Sequence, residues 1–292
     1  MESPRCTLCQ TIAERKGKRH RGMISFKKVL AKAKLEALYA LFYQSLVAPF
    51  DGMWDDIIGH TQHWQISVQN EAAGFFAINA KNMLLNYFLK EKHLPLSQKI
   101  FQQILAKQVV KEAVVSTNHP MMMSICIDLA KEIKPHAYLF EDIQRKTINA
   151  PYLEGITDPV FKNAHGIDFQ AAVKFCIDTI NPPKDWLEIY YQRLINRQEL
   201  YLWQDEATKT IIGVSEARKS ETQPGMADVG MIVGKDFRKQ GVGTYLLNQA
   251  KEQCYRQQLK PICSCEKDNI GSMKAIQKAG FVAKHRLVRV EF

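Results

Sequence analysis

A glycine-rich loop that carries basic residues follows an apolar strand-like run in the second half of the chain. The run Met231-Ile-Val233 leads through Gly-Lys-Asp-Phe into Arg238-Lys-Gln-Gly241-Val-Gly243, where a helical pattern begins. Glycines let a backbone approach phosphate oxygens, and the free N–H groups and dipole at a helix N-terminus attract anions. The order of strand, basic residue, glycines and helix therefore predicts a site for an anionic, nucleotide-like ligand.

The spacing of this loop excludes two well-known phosphate-binding motifs. No Gly-Lys-Ser/Thr follows it, as a P-loop requires, and it lacks both the third glycine and the acidic residue of a dinucleotide-binding fingerprint. The remaining pattern is Arg/Gln-x-x-Gly-x-Gly/Ala, carried by Arg238, Gly241 and Gly243. A second motif lies further along the chain, Asn269-Ile-Gly-Ser272 with a short helical pattern and then Gly280-Phe281.

Together the two motifs resemble the acetyl-coenzyme A loop and the late asparagine segment of the GNAT superfamily of N-acyltransferases. The resemblance implies that residues 165–292 form an N-acetyltransferase domain with acetyl-CoA as cosubstrate and no metal ion. In this family the strand before the loop runs along the pantetheine arm. The resemblance assigns coenzyme binding to Met231, Ile232, Val233, Arg238, Lys239, Gln240, Gly241, Val242, Gly243, Thr244, Asn269 and Ser272.

The reaction that the family implies is direct attack of a primary amine on the thioester carbonyl of acetyl-CoA. Such a site needs a donor to the developing oxyanion, a route for the ammonium proton and an acid for the departing thiolate. The candidate catalytic residues are Asp228, Glu216 on the preceding strand, and Ser272. For Asp228 the alternative is an exposed carboxylate at a strand end, without a catalytic role.

The acid is the point at which the sequence departs from the family pattern. Many relatives have a tyrosine seven positions after the asparagine, but Ile276 stands there and cannot donate a proton. Some subfamilies have Asn-x-x-Ser instead, as at Asn269 and Ser272, and such a serine either contacts the coenzyme or caps its helix. The missing tyrosine leaves open the alternative of a non-catalytic acyl-CoA-binding or sensing protein.

The elements that must position these residues follow one order in both halves. In the first half, the patterns predict a helix at 25–46, a loop or broken helix at 47–59, strands at 64–68, 72–78 and 83–89, a helix at 95–107, a strand at 109–116, a helix at 121–130 and a strand at 136–140. In the second half, they predict helices at 169–180 and 186–196, strands at 200–203, 211–217 and 229–233, a helix at 243–258, a strand at 261–265, a helix at 272–279 and a strand at 281–292. We predict an α/β (α+β) fold of tandem GNAT-like domains, each a mixed, mostly antiparallel twisted sheet flanked by helices.

Internal similarity supports the repeat and also shows an asymmetry. Gly74-Phe-Phe-Ala-Ile aligns with Gly213-Val-Ser-Glu-Ala, and Asn118-His-Pro-Met-Met aligns with Asn269-Ile-Gly-Ser-Met. The first-half counterpart of the phosphate loop, Lys90–Ser97, has no glycine and contains a proline, which lacks an N–H donor. We therefore predict a degenerate first domain that binds no coenzyme and serves as scaffold or as a wall of the acceptor site.

The predicted boundaries divide the chain into four parts. These are a basic leader at 1–22, a degenerate GNAT-like domain at 23–145, a linker at 146–164 and the acetyltransferase domain at 165–292. The leader has the composition of a disordered, solvated segment, with nucleic-acid binding as the alternative. Its Cys6-Thr-Leu-Cys9, even with a nearby histidine, lacks the second ligand pair of a structural zinc site.

Composition and charge suit a globular enzyme. Hydrophobic residues make up 46% and charged residues 24%, and no apolar run reaches the ~18–20 residues of a membrane span. The formal net charge of +10 suits a protein with an anionic cosubstrate. Scattered cysteines, including Cys263 and Cys265 on one predicted strand, favour buried thiols in a reducing cytoplasm. The expected partner is an amine-bearing small molecule or peptide, and the oligomeric state stays open.

Overall fold

Residues 24–292 of the chain are described by a computed structural model. The predictions made for the leader at 1–22, including Cys6 and Cys9, lie outside the described residues.

Each half of the described chain contains six strands and four α-helices. The first half contains β1 (Ile24–Val29), α1 (Glu36–Ser45), α2 (Gly52–Gly59), β2 (Gln62–Val68), β3 (Glu71–Ile78), β4 (Met83–Leu89), α3 (Ser97–Gln108), β5 (Glu112–Ser116), α4 (Pro120–Leu129) and β6 (Glu132–Asp142). The second half contains β7 (Pro159–Asn163), α5 (Phe169–Ile180), α6 (Lys184–Asn196), β8 (Leu200–Asp205), β9 (Ile211–Lys219), β10 (Met226–Val233), α7 (Val242–Arg256), β11 (Lys260–Glu266), α8 (Ile270–Lys278) and β12 (Phe281–Glu291). The order of elements is the same in both halves, so the predicted tandem repeat is confirmed.

At the start of the described chain, the helix predicted over residues 25–46 is confirmed in its later part and was wrong in its first part. Residues Ile24–Val29 form β1, which pairs antiparallel with β2, and α1 begins only at Glu36. Alternate residues of this strand, Ile24 and Phe26, pack against the core of the first half. A short apolar run can fit both the period of a helix and the alternation of a strand. Here the strand forms because its backbone pairs with the edge of β2.

Two other segments contain elements that the sequence patterns did not predict. Residues Gly52–Gly59, within the predicted loop or broken helix, form α2, which is capped because Asp51 Oδ1 accepts from Trp54 N at 2.6 Å. The short strand β7 lies inside the segment 146–164 that was predicted as a linker, and it pairs with β8. The positions of the domain boundaries themselves stay a prediction.

The strands form one continuous twelve-stranded sheet in which the two halves exchange their last strands. The order is β1-β2-β3-β4-β5-β12-β6-β11-β10-β9-β8-β7. Strand β12 of the second half pairs with β5, and strand β6 of the first half pairs with β11. The two exchanged strands pair with each other at the centre, from Phe281 opposite Asp142 to Glu291 opposite Glu132. Each half of the sheet is therefore completed by the other half.

The sheet is antiparallel except at one place in each half, where two parallel strands diverge. Strands β10 and β11 pair only from Met226 to Asp228, and β4 and β5 pair only at Met83 and Leu84. Beyond those residues the parallel strands separate and leave an opening in the sheet. The opening beside β10 is the place where the predicted phosphate loop begins.

Hydrophobic cores lie on both faces of the sheet in each half. In the first half, α1 covers one face through residues such as Phe42, and α3 and α4 cover the other through residues such as Phe101. In the second half, α5 and α6 pack on one face through residues such as Leu187, and α7 and α8 pack on the other through residues such as Leu247. The helices on the two faces therefore enclose each half of the sheet in a three-layer arrangement of helix, sheet and helix.

The strand exchange predicts that the first half does not fold alone. A fragment of residues 24–145 lacks β12, so it loses the buried Val288 and Val290 and leaves β5 paired only with two residues of β4. We expect this fragment to show no cooperative thermal transition by circular dichroism. A matched fragment in which a short hairpin turn joins Asp142 to residues 281–292 should regain the transition, because Asp142 and Phe281 are register partners. A two-state transition in the unextended fragment would contradict the prediction.

Candidate active site

A groove of about 680 Å³ lies beside β10, at the N-terminal ends of α7 and α8. Its lining residues are Ile180, Met231, Ile232, Val233, Arg238, Lys239, Gly241, Gly243, Thr244, Asn269, Gly271, Ser272, Lys274, Ala275 and Lys278. All but two of the residues that the sequence assigned to coenzyme binding lie on this groove. The exceptions are Gln240, whose side-chain amide donates to Asp236 O at 2.8 Å, and Val242, whose side chain is buried in the core.

The groove exists because β10 leaves β11 after Asp228. On its other side β10 stays paired with β9, from Val229 opposite Ala217 to Val233 opposite Gly213. In an antiparallel pair, alternate N–H and C=O groups point away from the partner strand. Backbone polar groups of residues 229–233 therefore face the opening, where an extended polar chain can pair with them.

The loop before α7 presents free backbone N–H groups to the groove. Gly241 has a φ of +89°, a conformation that side chains disfavour, and the first helical hydrogen bond runs from Tyr245 N to Gly241 O at 3.1 Å. In the described chain, no side chain caps this helix. The N–H groups of Val242, Gly243 and Thr244 precede that first bond, so they remain available to an anion.

Four basic side chains surround the groove. Arg238 and Lys239 come from the loop, and Lys274 and Lys278 come from α8. None of the four forms an ion pair with a carboxylate among residues 24–292. Lys274 was not among the residues predicted from the sequence, although its spacing of one helical turn from Lys278 on the helix after Asn269 was a usable signal. Unpaired cations beside free N–H groups make the groove suitable for phosphates.

The second predicted motif forms the N-terminus of α8 on the opposite wall. Asn269 Oδ1 accepts from Ser272 N at 3.1 Å, so Asn269 caps the helix and Ser272 does not. The hydroxyl-bearing Ser272 lines the groove. Ile276 is buried in the core beneath the helix, as expected for an apolar residue. This position therefore supplies no acid to the site.

An apolar pocket of about 240 Å³ adjoins the groove and contains Glu216. The two spaces share Ile180, Met231 and Ile232. Tyr190 donates its hydroxyl to Glu216 Oε2 at 2.6 Å, and burial and the Glu216 charge raise the pKa of Tyr190 well above its ordinary value. The phenol therefore stays protonated as a donor, and it orients the carboxylate.

Gly230 leaves room for that carboxylate on the neighbouring strand. It is the register partner of Glu216, and a Cβ at this position would lie 2.9 Å from Glu216 Oε1. Glu216 points to the face of the sheet that α6 covers. Its neighbour on β9, Ser215, donates to Leu246 O on the α7 face, whereas Glu216 accepts from Tyr190 of α6 on the opposite face.

Asp228 lies on the same face as Glu216 but in a different pocket. It lines a polar pocket of about 280 Å³ between the two halves and is only 5% exposed. Its Oδ1 accepts from Gly52 N at 2.9 Å, and its Oδ2 is 3.8 Å from the Arg218 guanidinium. Burial raises the pKa of Asp228 to about 7, although the Arg218 charge and the hydrogen bond from Gly52 N both lower it. The alternative of an exposed strand-end aspartate is thus excluded.

The first half supplies part of the site through the segment before α2. Gln223 holds Phe50 by two hydrogen bonds, accepting from Phe50 N at 2.6 Å and donating to Phe50 O at 2.7 Å. Together with the bond from Gly52 to Asp228, this docks the N-terminus of α2 on the second half. Met53 then lines the apolar pocket that contains Glu216.

The corresponding loop of the first half has a different structure. Residues Glu91–Leu96 form a 3₁₀ turn that contains Pro95, and His93 is buried. The turn has no glycine with positive φ, and α3 follows it at Ser97. The described first half therefore has no counterpart of the glycine loop at Gly241 and Gly243. That it binds no coenzyme stays a prediction.

The two cysteines on β11 are buried in the core of the second half. Burial raises the pKa of Cys265 to about 11, and it also raises the pKa of Cys263 well above its ordinary value. Both thiols are therefore protonated near neutral pH and unsuited to carry an acyl group. Within residues 24–292, no group of three or more His, Cys, Asp or Glu side chains could hold a metal ion, and no helix is long and apolar enough to cross a membrane.

Comparison with known proteins agrees with this geometry in both halves. The model of an acetyltransferase (GNAT) domain matches residues 31–143, and that of the acetyltransferase (GNAT) family matches residues 173–281. A GNAT-family acetyltransferase from Colwellia psychrerythraea is 28% identical, with a TM-score of 0.83, over 92% of this chain and 99% of that chain. No curated protein matches the sequence.

Two more distant structures show the same fold over both halves. A GCN5-related N-acetyltransferase from Sphaerobacter thermophilus is 13% identical, with a TM-score of 0.60, over 92% of this chain and 95% of that chain. A tandem GNAT protein from the clavulanic acid biosynthesis pathway is 11% identical, with a TM-score of 0.60, over 91% of this chain and 97% of that chain. With a matched domain in each half, this chain belongs to the GNAT superfamily of acetyltransferases and has the tandem architecture.

Proposed function

We propose that the protein transfers an acetyl group from acetyl-CoA to a primary amine of a small molecule or peptide, with the coenzyme in the second half only. One observation carries the proposal: a single groove combines the diverging end of β10, the free N–H groups of α7 and four unpaired cations. An extended polar arm, a pyrophosphate and further phosphates match these three features in order. Acetyl-CoA has all of them.

In this proposal each part of the groove has one task. The pantetheine arm pairs with the backbone of Met231–Val233, and the pyrophosphate accepts from the N–H groups of the loop at 238–244. Arg238, Lys274 and Lys278 balance the phosphate charges. The thioester lies where the groove meets the apolar pocket, since Met231 and Ile232 line both spaces. A β10 backbone N–H there can donate to the developing oxyanion.

We assign the role of base to Glu216 in preference to Asp228. The bound ammonium first loses one proton to Glu216, directly or through a water molecule, and the neutral amine nitrogen then attacks the thioester carbonyl carbon. As the carbon–sulfur bond breaks, the thiolate leaves without a side-chain acid and takes up the second proton that the nitrogen loses. Glu216 lies in the pocket that adjoins the groove, whereas both oxygens of Asp228 face Gly52 and Arg218.

The test is a binding and turnover experiment on the full chain. Isothermal titration should give one acetyl-CoA per chain, and a broad amine panel should contain acceptors whose acetylated products are detected by mass spectrometry. Tight coenzyme binding without acetylation of any amine would contradict the enzymatic function. Two coenzymes per chain would contradict the assignment of the site to one half.

Replacing Gly241 with valine is expected to weaken acetyl-CoA binding by roughly 10- to 100-fold. At a φ of +89° a β-branched residue is strained, so the loop rarely adopts the conformation that aims its N–H groups at the pyrophosphate. Isothermal titration measures the change. Gly225→Val is the matched control, because Gly225 also has a positive φ, of +83°, but lies in the β9–β10 hairpin. Both Gly225→Val and Leu94→Val should leave the affinity for acetyl-CoA unchanged. A loss of affinity in either control equal to that in Gly241→Val would contradict the prediction.

The cysteines support a reducing compartment for this activity. The five cysteines of the described residues are all unpaired and buried. Disulfide-free thiols of this kind are usual in the cytoplasm, and we infer that the protein works there.

A further inference from the structure

The pocket beside the coenzyme groove has a single charged group in an otherwise apolar lining. Its walls include Met53, Leu187, Val214 and Ile232, and Glu216 is the only ionisable carboxylate among the described residues that line it. Tyr190 occupies one oxygen of this carboxylate at 2.6 Å. A second cationic group of a ligand would find no counter-charge here and would be buried at a cost in free energy.

Large apolar side chains are exposed at the mouth of this pocket. Trp186 is 41% exposed and stacks on Tyr190 with ring centroids 4.9 Å apart. Ile180, also exposed, lies on the border between the pocket and the groove. Exposed apolar side chains that surround a concave site mark a surface that an apolar ligand covers.

The size of the pocket limits what can enter. Its volume is about 240 Å³. A space of this size suits a six-membered ring or a short alkyl chain with one amine. An oligosaccharide or a long polyamine would have to extend out of the pocket.

We infer that the acceptor is a small monocationic amine with an aromatic or alkyl body, which fills the apolar pocket while its nitrogen lies between Glu216 and the thioester. This inference rests on the proposed function, and it names the substrate class. The first half takes part in the choice of substrate, because Met53 forms one wall. The acyl group starts from the same junction, so a long acyl chain is the competing occupant.

A series of unbranched alkylamines tests the inference on the full-length protein, since these amines differ in apolar length but hardly in basicity. With acetyl-CoA as donor, kcat/KM from butylamine to heptylamine should rise by roughly fourfold for each methylene until the pocket is full. Phenethylamine should exceed spermidine by more than tenfold. A parallel series of donors from acetyl-CoA to hexanoyl-CoA should show no such rise.

Two pocket variants and one control variant link the effect to the pocket. Trp186→Ala should flatten the alkylamine series, whereas Ile189→Ala, at a 75% exposed position of the same helix outside the pocket, should leave it unchanged. Met53→Ala enlarges the pocket and should move the optimum toward longer amines. Unchanged acetyl-CoA affinity in all three shows that the groove is intact.

Three outcomes would overturn the inference. A flat amine series with a rise along the donor series assigns the pocket to the acyl chain. A higher kcat/KM for spermidine than for heptylamine shows a polycationic acceptor, and the proposed acetylation stands in both cases. Acetyl-CoA binding with no amine acetylated at all removes the proposed function itself and this inference with it.

Discussion

Replacing Glu216 with glutamine is expected to lower kcat/KM for amine acetylation by roughly 100- to 10,000-fold, the range for loss of a general base. The amide keeps the shape of the side chain and can still accept from Tyr190, but it cannot take up the ammonium proton. Since Glu216 lies outside the groove, the affinity for acetyl-CoA should not change. Steady-state kinetics and isothermal titration measure the two quantities.

The matched comparison for this prediction is Asp228→Asn. The asparagine can still accept from Gly52 N, so the docking of α2 is kept and the loss of activity should be much smaller. If Asp228 were the base, its pKa of about 7 would make wild-type activity fall as the pH drops below that value. The activity of Asp228→Asn would then lack this pH dependence. A larger loss in Asp228→Asn than in Glu216→Gln would assign the base to Asp228.

Replacing Lys251 with methionine is expected to lower the free energy of unfolding by about 3–5 kcal/mol, because it leaves the other member of a buried ion pair without its counter-charge. Lys251 is 0% exposed, and its Nζ lies 2.7 Å from Asp142 Oδ1. It also donates to Ala279 O at 2.7 Å and to Gln144 O at 2.9 Å. The variant leaves these carbonyls without their donor and the Asp142 charge without its cation.

This ion pair joins α7 of the second half to the exchanged strand β6 of the first half, so its loss should lower the stability of both halves together. Urea unfolding followed by fluorescence and by circular dichroism measures the effect, with coincident curves expected. Lys174→Met is the control, because its pair with Asp178 is exposed on a helix surface and should be worth at most about 0.5 kcal/mol. The double change Lys251→Met with Asp142→Leu should recover part of the stability. Equal effects of Lys251→Met and Lys174→Met would contradict the prediction.

The groove was the part of the site most accessible to sequence reasoning. The strand end, Gly241 and the start of α7 are neighbours along the chain, so their spacing alone predicts a loop with free N–H groups. The same holds for Asn269 and Ser272, which lie in one helical turn. The sequence left open whether Ser272 contacts the coenzyme or caps its helix, and the structure gives the cap to Asn269.

The strand exchange was not predictable from the sequence patterns. Strands β6 and β12 both follow a short helix and could complete either half, so local patterns allow each to pair within its own half. The central pairing of β6 with β12 joins residues that are far apart in the chain, from Phe281 with Asp142 to Glu291 with Glu132. Such long-range pairing is decided by the packing of the whole sheet and not by local propensity.

The sequence by itself determined the family resemblance, the repeat and the phosphate loop, because each depends on residues that are close in the chain or on an order of elements. The tertiary structure decided which carboxylate adjoins the groove, since the facing of Glu216 and the burial of Asp228 depend on α6 and α2. It also decided that the first half contributes Met53 to the wall of the apolar pocket that contains Glu216. Those contacts arise only when the two halves fold as one sheet and bring side chains from distant segments to the same face of β9 and β10.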